Sequence, residues 1–254
     1  MNIFTVLTFF YAGIITLMLG EFLYSVIRND GLYSIEGTFG NVLRSIVTRL
    51  IQRLLDSVTL AYTIFLAIGI SEPDQSLSLS SVFLSLLLID GMYYIVHRTH
   101  HRIPFLWVFH SVHHSDNKYN LSTGLRVAWF QELYFAAILT LPAFVVGYSL
   151  KEVAAALFFF SAYQALVHTA YVSFPRFFDA ILVTPRNHRI HHDQVESHQR
   201  CNFSGVFSLW DRLFGTYIPA IETFTPGIKG YHQDDFIKME TDPIKEYFIK
   251  NIRP

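Results

Sequence analysis

The sequence predicts an all-α, multi-pass integral membrane bundle of four to five membrane segments that carries a cytoplasmic, histidine-rich helical cap. Three observations support this prediction. The 254 residues are 52% hydrophobic and only 15% charged, whereas soluble domains carry about 25% charged residues. Several uncharged apolar runs approach the roughly 17–25 residues that cross a bilayer as a helix. Half of the twelve histidines lie between residues 90 and 115, at helical spacings.

Composition also excludes several classes of function. The formal net charge is −1, and without a basic patch we expect no nucleic-acid partner. The single cysteine, Cys201, excludes a disulfide framework and any Cys-x-x-Cys metal or redox motif. The first positive residue is Arg28, so the amino-terminal apolar run lacks the basic region of a cleavable signal and is interpreted as a membrane segment. We expect one membrane-embedded domain over residues 1–254, with its histidine core at about 82–217.

Five apolar runs are the candidate membrane segments. The second and fourth are near the lower length limit of about 17 residues for a spanning helix. The last two are expected to form a helical hairpin that either dips into the bilayer or crosses it, and both arrangements return the chain to one side. The tail from Pro226 is polar and is expected to pack loosely. The predicted segments are 3–19 (extending to 27), 54–70, 79–96, 133–148 and 153–172.

The distribution of arginine predicts the orientation in the membrane. The connection between the first two runs carries Arg28, Arg44 and two further arginines, whereas the next connection carries two acids and no base. Basic connections favour the cytoplasm. The amino terminus is therefore expected outside, and the histidine-rich segments on the cytoplasmic side. The arginine-bearing stretch 42–55 is either an ordinary helix with a solvated face or an interfacial amphipathic helix.

Three histidine blocks have the spacing of metal ligands on helices. Residues three and four apart share one helix face, and imidazole is the commonest protein ligand for late first-row metals. His100 and His101 can both share the face of His97, so spacing does not choose between them. The blocks are His97-x-x-x-His101, His110-x-x-His113-His114 and His188-x-x-His191-His192.

One further histidine, His168, lies near the end of the last apolar run, four residues after Gln164. An ionisable group at membrane depth is a functional candidate. About nine imidazoles exceed the capacity of one tetrahedral or octahedral ion, which indicates two metals. Imidazole suits iron, zinc and copper, so the ligand type does not name the metal. The Glu-x-x-His pairs of ferritin-like bundles and the serine-hydrolase, dinucleotide and P-loop motifs are all missing from the sequence.

These blocks resemble those of the fatty acid hydroxylase and sterol desaturase superfamily, which consists of integral membrane di-iron oxygenases. The resemblance covers residues 32–217 and includes the surroundings of the blocks. Those matching residues are Asp90, Tyr93-Tyr94, Pro104, Trp107, Thr184-Pro185 and the run from Trp210 to Thr216. Two further stretches are most similar to the alkylglycerol monooxygenase branch and its bacterial relatives: Tyr119-Asn120-Leu121-Ser122-Thr123 followed by Arg126, and Gln164-x-x-x-His168.

The resemblance implies an O₂-dependent oxidoreductase that hydroxylates or desaturates a fatty-acyl, alkyl or sterol-like lipid. It implies two iron ions, with zinc able to occupy the site in purified protein, and no catalytic residue separate from the metal ligands. Electrons would come from an external donor, either a protein or a reduced pterin. The family pattern selects His101 rather than His100. The implied ligands are His97, His101, His110, His113, His114, His168, His188, His191 and His192.

Four polar residues are candidates to support these ligands from behind. Asp90, Asn202 and Asp211 are expected to accept the second ring N–H of ligating histidines, and each could instead cap a helix or face solvent. Gln164 stands where fatty acid 2-hydroxylases have a histidine, and it is expected to hold a metal-bound water. A second departure is Cys201-Asn202-Phe203-Ser204, where relatives often show Lys-Asn-Tyr-Gly.

A histidine-lined metal transporter or metal-binding membrane protein is the alternative from a different functional class. It predicts ligands at mid-span on several helices, with acidic residues beside them, whereas the histidine blocks lie next to the ends of apolar runs. Hydroxylation, desaturation and ether cleavage share one oxidant and differ in substrate placement, so all three stay open.

Overall fold

The computed structural model describes residues 3–55, 62, 77–221, 223–229, 231 and 235–252. These residues form helices, with isolated β-bridges and no extended strand, which confirms the predicted helical class for the described part of the chain. The α-helices are α1 Ile3–Arg28, α2 Ile35–Leu55, α3 Leu79–Arg102, α4 Pro104–His114, α5 Trp129–Val146, α6 Leu150–Leu166, α7 Pro185–His191, α8 Glu196–Gln199, α9 Leu209–Leu213 and α10 Phe236–Ile252; the 3-10 helices are Leu121–Leu125 and Arg176–Ala180.

Two of the described helices, α3 and α5, are long and apolar enough to cross a membrane, with 24 and 18 residues. The predicted segment 153–172 is shorter in the structure, because α6 ends at Leu166 and the chain then turns. The predicted segment 54–70 lies outside the described residues apart from Tyr62 and its first two residues, which end α2. The number of membrane segments, their orientation and the single domain over 1–254 stay predictions.

Helix α3 is the centre of the bundle. Its buried residues Ile89 and Tyr93 belong to an apolar core that includes Phe144 of α5 and Phe160 of α6. The ring centroids of Tyr93 and Phe160 are 4.9 Å apart. The middle of α3 is thus occupied by apolar packing. Its polar carboxyl-terminal end, which carries the first histidine block, remains available for a functional site.

A tight turn joins α5 to α6. Gly147 ends α5 with a φ of 101°, a left-handed conformation that glycine adopts without steric cost. Ser149 then caps α6, since its hydroxyl accepts a hydrogen bond from the backbone N–H of Glu152 while the Glu152 carboxylate accepts from Ser149. The two helices therefore form a hairpin, as both predicted arrangements require, and whether it crosses the bilayer or dips into it stays a prediction.

A sharp break separates α3 from α4. Ile103 is extended and serves as the last cap of α3 and the first cap of α4, and Pro104 occupies the first turn of α4. Proline is favoured at that position because the backbone N–H groups of the first helical turn have no partner within the helix, so the lack of one costs nothing. The break folds α4 back beside the end of α3, so the first two histidine blocks meet.

The carboxyl-terminal helix α10 covers the outer face of α4. Arg44 of α2 forms an ion pair with Glu240, and the arginine side chain is fully buried. Tyr247 packs against Phe105 with ring centroids 5.8 Å apart, and Met239 is buried. The expectation of a loosely packed tail was wrong for this segment, because Ile244 and Tyr247 pack against a buried apolar cluster that includes residues of α4.

Candidate metal centre

All nine histidines that the family pattern selects are buried and lie in two adjacent groups. Within each group, one ring nitrogen of every member lies within 4.8 Å of those of all the others. We call these sets group 1 and group 2. Group 1 contains His97, His101, His110, His114 and His191, and group 2 contains His113, His168, His188 and His192.

The spacing between ring nitrogens fits a shared ion in each group. In group 1, the Nε2 atoms of His97 and His191 are 2.9 Å apart. In group 2, the Nε2 atom of His168 is 3.0 Å from that of His188 and 3.2 Å from that of His113. Two nitrogens bound at about 2.0–2.1 Å to one ion in neighbouring positions would be roughly 3 Å apart. The donor set therefore fits a metal ion in each group.

The adjacent histidines of two blocks divide between the groups. His113 and His114 are consecutive on α4, and His191 and His192 are consecutive at the end of α7. Consecutive residues on a helix point about 100° apart, whereas residues four apart share a face. His110 and His114 thus join group 1 together, while His113 belongs to group 2. Each pair of consecutive histidines contributes one ring to each group, which places the groups side by side. The His114 and His192 rings are stacked, with centroids 4.3 Å apart.

Several ring nitrogens are buried without a hydrogen-bond partner among the described residues. They include the Nε2 atoms of His101, His110 and His114 in group 1. A buried polar atom that lacks a partner costs about 1–3 kcal/mol. A metal ion would supply the missing partner for all three nitrogens, which is a second reason why these residues fit a metal.

Burial keeps the imidazoles neutral. It lowers the pKa of His113 to about 4 and the pKa of His191 to about 3, in each case chiefly by desolvation. The pKa values of His188 and His192 are also lowered by burial and by neighbouring histidines. Metal ions bind the neutral ring, so these histidines are in the ligating state near neutral pH.

Oxygen acceptors orient the rings from behind. A ring N–H that donates to a protein acceptor fixes the tautomer, so that the other nitrogen faces the metal. Four of the acceptors are backbone carbonyls and one is the side chain of Gln131, which sequence reasoning missed. The pairs are His97 Nδ1 to Phe203 O at 2.8 Å, His191 Nδ1 to Cys201 O at 2.8 Å, His113 Nδ1 to Arg126 O at 3.1 Å, His168 Nδ1 to Gln164 O at 2.7 Å and His110 Nδ1 to Gln131 Oε1 at 3.2 Å.

The structure corrects the expected roles of Asp90 and Asp211. Asp90 accepts hydrogen bonds from the indole N–H of Trp210 and from the backbone N–H groups of residues 205–207, at 2.8–3.1 Å. Asp211 accepts from the backbone N–H groups of Phe203 and Ser204. Neither carboxylate meets an imidazole, because each is used to satisfy the otherwise unpaired N–H groups of the loop after Cys201.

Asn202 and Gln164 support the same loop. Asn202 has a left-handed φ of 52°, and its side-chain N–H group donates to the carbonyls of Asn187 and Ile218. The expectation that Asn202 accepts a ring N–H was therefore wrong. Gln164 donates to the carbonyl of Gly205, and its role in holding a metal-bound water stays a prediction.

His100 lies outside both groups. Its Nδ1 bonds the carbonyl of Val96 at 2.7 Å and its Nε2 bonds the Tyr134 hydroxyl at 2.7 Å. The ring is buried rather than at the surface. His198 bonds the carboxylate of Asp193, and His232 lies outside the described residues.

Comparison with known proteins agrees with this arrangement. The family model for fatty acid hydroxylase matches residues 82–216, which include all of group 1 and group 2. The chain belongs to the fatty acid hydroxylase family. This confirms the superfamily that the histidine blocks and their surroundings indicated.

The similar proteins include several lipid hydroxylases. The chain is 30% identical to the alkylglycerol monooxygenase of Danio rerio over 221 residues, which cover 84% of this chain and 48% of that protein. It is 32% identical to the Homo sapiens alkylglycerol monooxygenase, over 55% of this chain and 31% of that protein. It is 28% identical to the ornithine lipid hydroxylase OlsE of Rhizobium tropici, over 71% of this chain and 55% of that protein.

The matches leave much of each relative uncovered. The chain spans about a quarter to a half of the length of the alkylglycerol monooxygenases it matches. No solved structure matches the chain. The likeness to the alkylglycerol branch of the family is confirmed, and the relatives support a lipid oxidoreductase.

Proposed function

We propose that this protein is a membrane-bound, O₂-dependent di-iron oxidoreductase that hydroxylates or desaturates a lipid. One observation carries the proposal: nine buried histidines lie in two adjacent groups whose ring nitrogens have the spacing of metal ligands. The membership in the fatty acid hydroxylase family supports the chemistry. The relatives include an alkylglycerol monooxygenase and an ornithine lipid hydroxylase, which supports a lipid as the substrate.

The proposed metals are two iron ions, one for each group, which zinc can replace in purified protein. Two irons at this centre would supply the electron transfers that activate O₂ for attack on an unreactive C–H bond. The protein holds nine neutral imidazoles in place and keeps bulk water from them. Within the described part of the chain, both groups consist of histidines alone, so no carboxylate there shares these positions. Electrons are proposed to come from a partner protein or a reduced pterin.

An apolar groove of about 310 Å³ lies between α1 and the segment that follows α6. We assign the hydrocarbon chain of the lipid to this groove. Thr169, directly after the group 2 histidine His168, lines it together with Leu17, Leu166 and Val172. A lipid chain bound there would lie next to the backbone that carries one predicted ligand.

Glu21 connects the groove to the metal centre. This buried carboxylate accepts hydrogen bonds from the Thr169 hydroxyl at 2.7 Å and from the backbone N–H groups of Ala170 at 2.7 Å and Leu121 at 2.9 Å. The apolar helix α1 is thereby fixed against the two segments that flank His168. This contact supports a lipid that enters from the side of α1.

The proposed location is an integral membrane protein with several spans and with its histidine groups on the cytoplasmic side. Helices α3 and α5 support a membrane location by length and composition. Large apolar side chains such as Leu23 and Ile27 of α1 and Val146 of α5 are exposed on the surface. Exposed apolar surface of this kind marks a contact with lipid or protein.

A metal transporter would place its ligands along the length of several helices. Here His97 and His101 lie in the last turns of α3, and the other ligands come from the short helices and loops beyond it. All nine are buried. This arrangement favours a closed reaction centre over a pathway for ions.

The full chain in membranes tests the proposal. We expect two irons per chain, and O₂ consumption that requires both a reduced donor and a lipid such as a hexadecylglycerol ether or a fatty-acyl lipid. Mass spectrometry should detect an oxidised lipid. Less than one metal ion per active chain would refute the dinuclear centre, and turnover that persists without O₂ would refute the oxygenase.

A further inference from the structure

We infer that Asp211 is a positioning residue for His97 and acts on it through one peptide group of the backbone. This inference rests on the proposed metal centre and adds to it a charged group that is not itself next to an imidazole. Asp211 lies in the short helix α9, and His97 lies near the end of α3. The peptide group between Phe203 and Ser204 joins them.

The two hydrogen bonds lie on opposite sides of that peptide group. The Ser204 N–H donates to Asp211 Oδ2 at 2.8 Å. The Phe203 carbonyl accepts from His97 Nδ1 at 2.8 Å. A trans peptide is planar, and its N–H and C=O point in opposite directions. Carboxylate, peptide and imidazole therefore form one continuous chain of hydrogen bonds.

The carboxylate is held rigidly in this position. Its other oxygen accepts from the Phe203 N–H at 2.8 Å and from the Thr216 hydroxyl at 2.7 Å. The Ser204 hydroxyl in turn accepts from the backbone N–H of Asp211 at 3.1 Å. Asp211 is only 1% exposed, so water does not screen its interaction with the peptide.

The chemical consequence is a stronger metal ligand. Hydrogen bonds to ionised groups are stronger than neutral ones, and hydrogen bonds in a chain polarise one another. The Asp211 carboxylate polarises the peptide group through the Ser204 N–H. The Phe203 carbonyl thereby becomes a better acceptor for the His97 ring proton. A ring whose Nδ1–H is strongly bonded is a more basic ligand at Nε2. The arrangement is a carboxylate–histidine pair with one peptide inserted.

His191 provides a comparison within group 1. Its Nδ1 donates to the Cys201 carbonyl at 2.8 Å. The N–H of that peptide group belongs to Asn202 and donates to the Thr216 carbonyl at 2.9 Å, which is neutral. The two rings thus have acceptors at equal distance, and only His97 has a carboxylate behind its peptide.

Asp90 supplies a matched control on the same loop. It is also buried, and it accepts from the backbone N–H groups of residues 205–207, whereas Asp211 accepts from two backbone N–H groups. The Val206 N–H shares its peptide group with the Gly205 carbonyl. That carbonyl accepts from the Gln164 side chain and not from an imidazole. Asp90→Asn therefore disturbs the loop without removing a charge from a histidine relay.

The test titrates the full-length protein in detergent with Co²⁺ against a chelator. We expect Asp211→Asn to lower the affinity for one of the two Co²⁺ ions by about 10–100-fold. The Co²⁺ ion that Asp211→Asn retains should have the same visible spectrum as the ion that His97→Ala retains. That spectrum should differ from the one of the ion that His113→Ala retains. Asp90→Asn should keep both ions within a few-fold, and Asp211→Glu, which keeps the charge, should recover part of the lost affinity.

Several results would overturn the inference. Equal losses in Asp211→Asn and Asp90→Asn would show that the carboxylates only fold the loop, and wild-type affinity in Asp211→Asn would remove the relay altogether. If Asp211→Asn does not fold, an ester in place of the Ser204 N–H removes the same hydrogen bond, and unchanged Co²⁺ affinity would then refute the relay. A wild-type chain that binds fewer than two ions would count against the proposed centre instead.

Discussion

Group 1 and group 2 are built from the same three histidine blocks and yet differ in how they are held. Group 1 has five imidazoles, and two of its rings, His97 and His191, are oriented by the loop after Cys201. Group 2 has four imidazoles, and its His168 lies beside the residues that line the apolar groove. Both groups are buried, so the difference lies in the number of rings and in the neighbours: group 2 has the fewer imidazoles and adjoins the proposed lipid groove.

Loss of one ligand from each group should have the largest effect. His191→Ala removes a ligand from group 1, and His113→Ala removes one from group 2. Each variant should lose one ion and reduce turnover to background, because the proposed chemistry needs both metals. Metal analysis and O₂ consumption on the same preparation provide the measurement. A variant that loses an ion and keeps normal turnover would mean that one group is dispensable.

The neighbours His100 and His101 sharpen the boundary of group 1. His101→Ala should lose metal and activity together, since its Nε2 is one of the buried nitrogens of the group. His100→Ala removes two hydrogen bonds outside the group, which costs about 1–3 kcal/mol of stability and leaves metal content and activity within a few-fold. Metal content and thermal unfolding of both variants distinguish the two roles. Identical behaviour would contradict the assignment of His101 as the ligand.

A side chain added in the groove tests the connection between group 2 and the lipid. A Cβ on Gly20, which lines the groove, meets no atom within 4 Å. Gly20→Leu should therefore fill space without a clash and raise KM for a long-chain lipid about tenfold, which corresponds to roughly two displaced methylene groups. Metal content and kcat should stay unchanged.

Gly13→Leu is the control for this variant. Gly13 lies on the same helix, and a Cβ there also meets no atom within 4 Å, but this residue does not line the groove. Kinetics with lipids of graded chain length should show an effect of Gly20→Leu that grows with length. Equal KM changes in both variants would assign the effect to α1 in general.

Acid should destabilise the metal-free protein through the histidines of both groups. Burial lowers the pKa of His113 in group 2 to about 4 and that of His191 in group 1 to about 3, from an ordinary value of 6.5. Between these values and pH 6.5 the unfolded chain binds protons that the folded chain does not, so stability is full above pH 6.5 and falls on acidification. Thermal unfolding of the metal-free protein should shift to lower temperature by several degrees from pH 7 to pH 5. An unfolding temperature that stays the same between pH 7 and pH 5 would contradict the burial of neutral rings.

The histidine content of both groups was predictable from sequence. The spacing of three and four residues placed the blocks on helix faces, and all nine selected rings converge in the structure. The division into two groups was not predicted, because it depends on the turn at Pro104 and on the way α7 approaches α4. The spacing of residues within one segment does not predict how that segment packs against another.

The groups that orient the rings were the least predictable part. Carboxylates were expected, and backbone carbonyls such as those of Phe203 and Cys201 were found. A carbonyl exists at every residue, so no residue type marks its use. Gln131 is the one side chain among these acceptors, and no sequence pattern distinguished it. The end of α6 at Leu166 was also missed, since Val167 and Val172 continue the apolar composition through the turn.

The absence of carboxylates from both groups has an electrostatic consequence. Two divalent ions would bring four positive charges into a buried region where the described ligands are neutral imidazoles. The carboxylate of Asp211 returns one negative charge from behind a peptide group. The buried carboxylate of Asp116, whose charge acts on His113, adds a second, and small anions such as hydroxide would supply the rest. The loaded centre should therefore attract azide or fluoride strongly, and more strongly still in its oxidised state than in its reduced state.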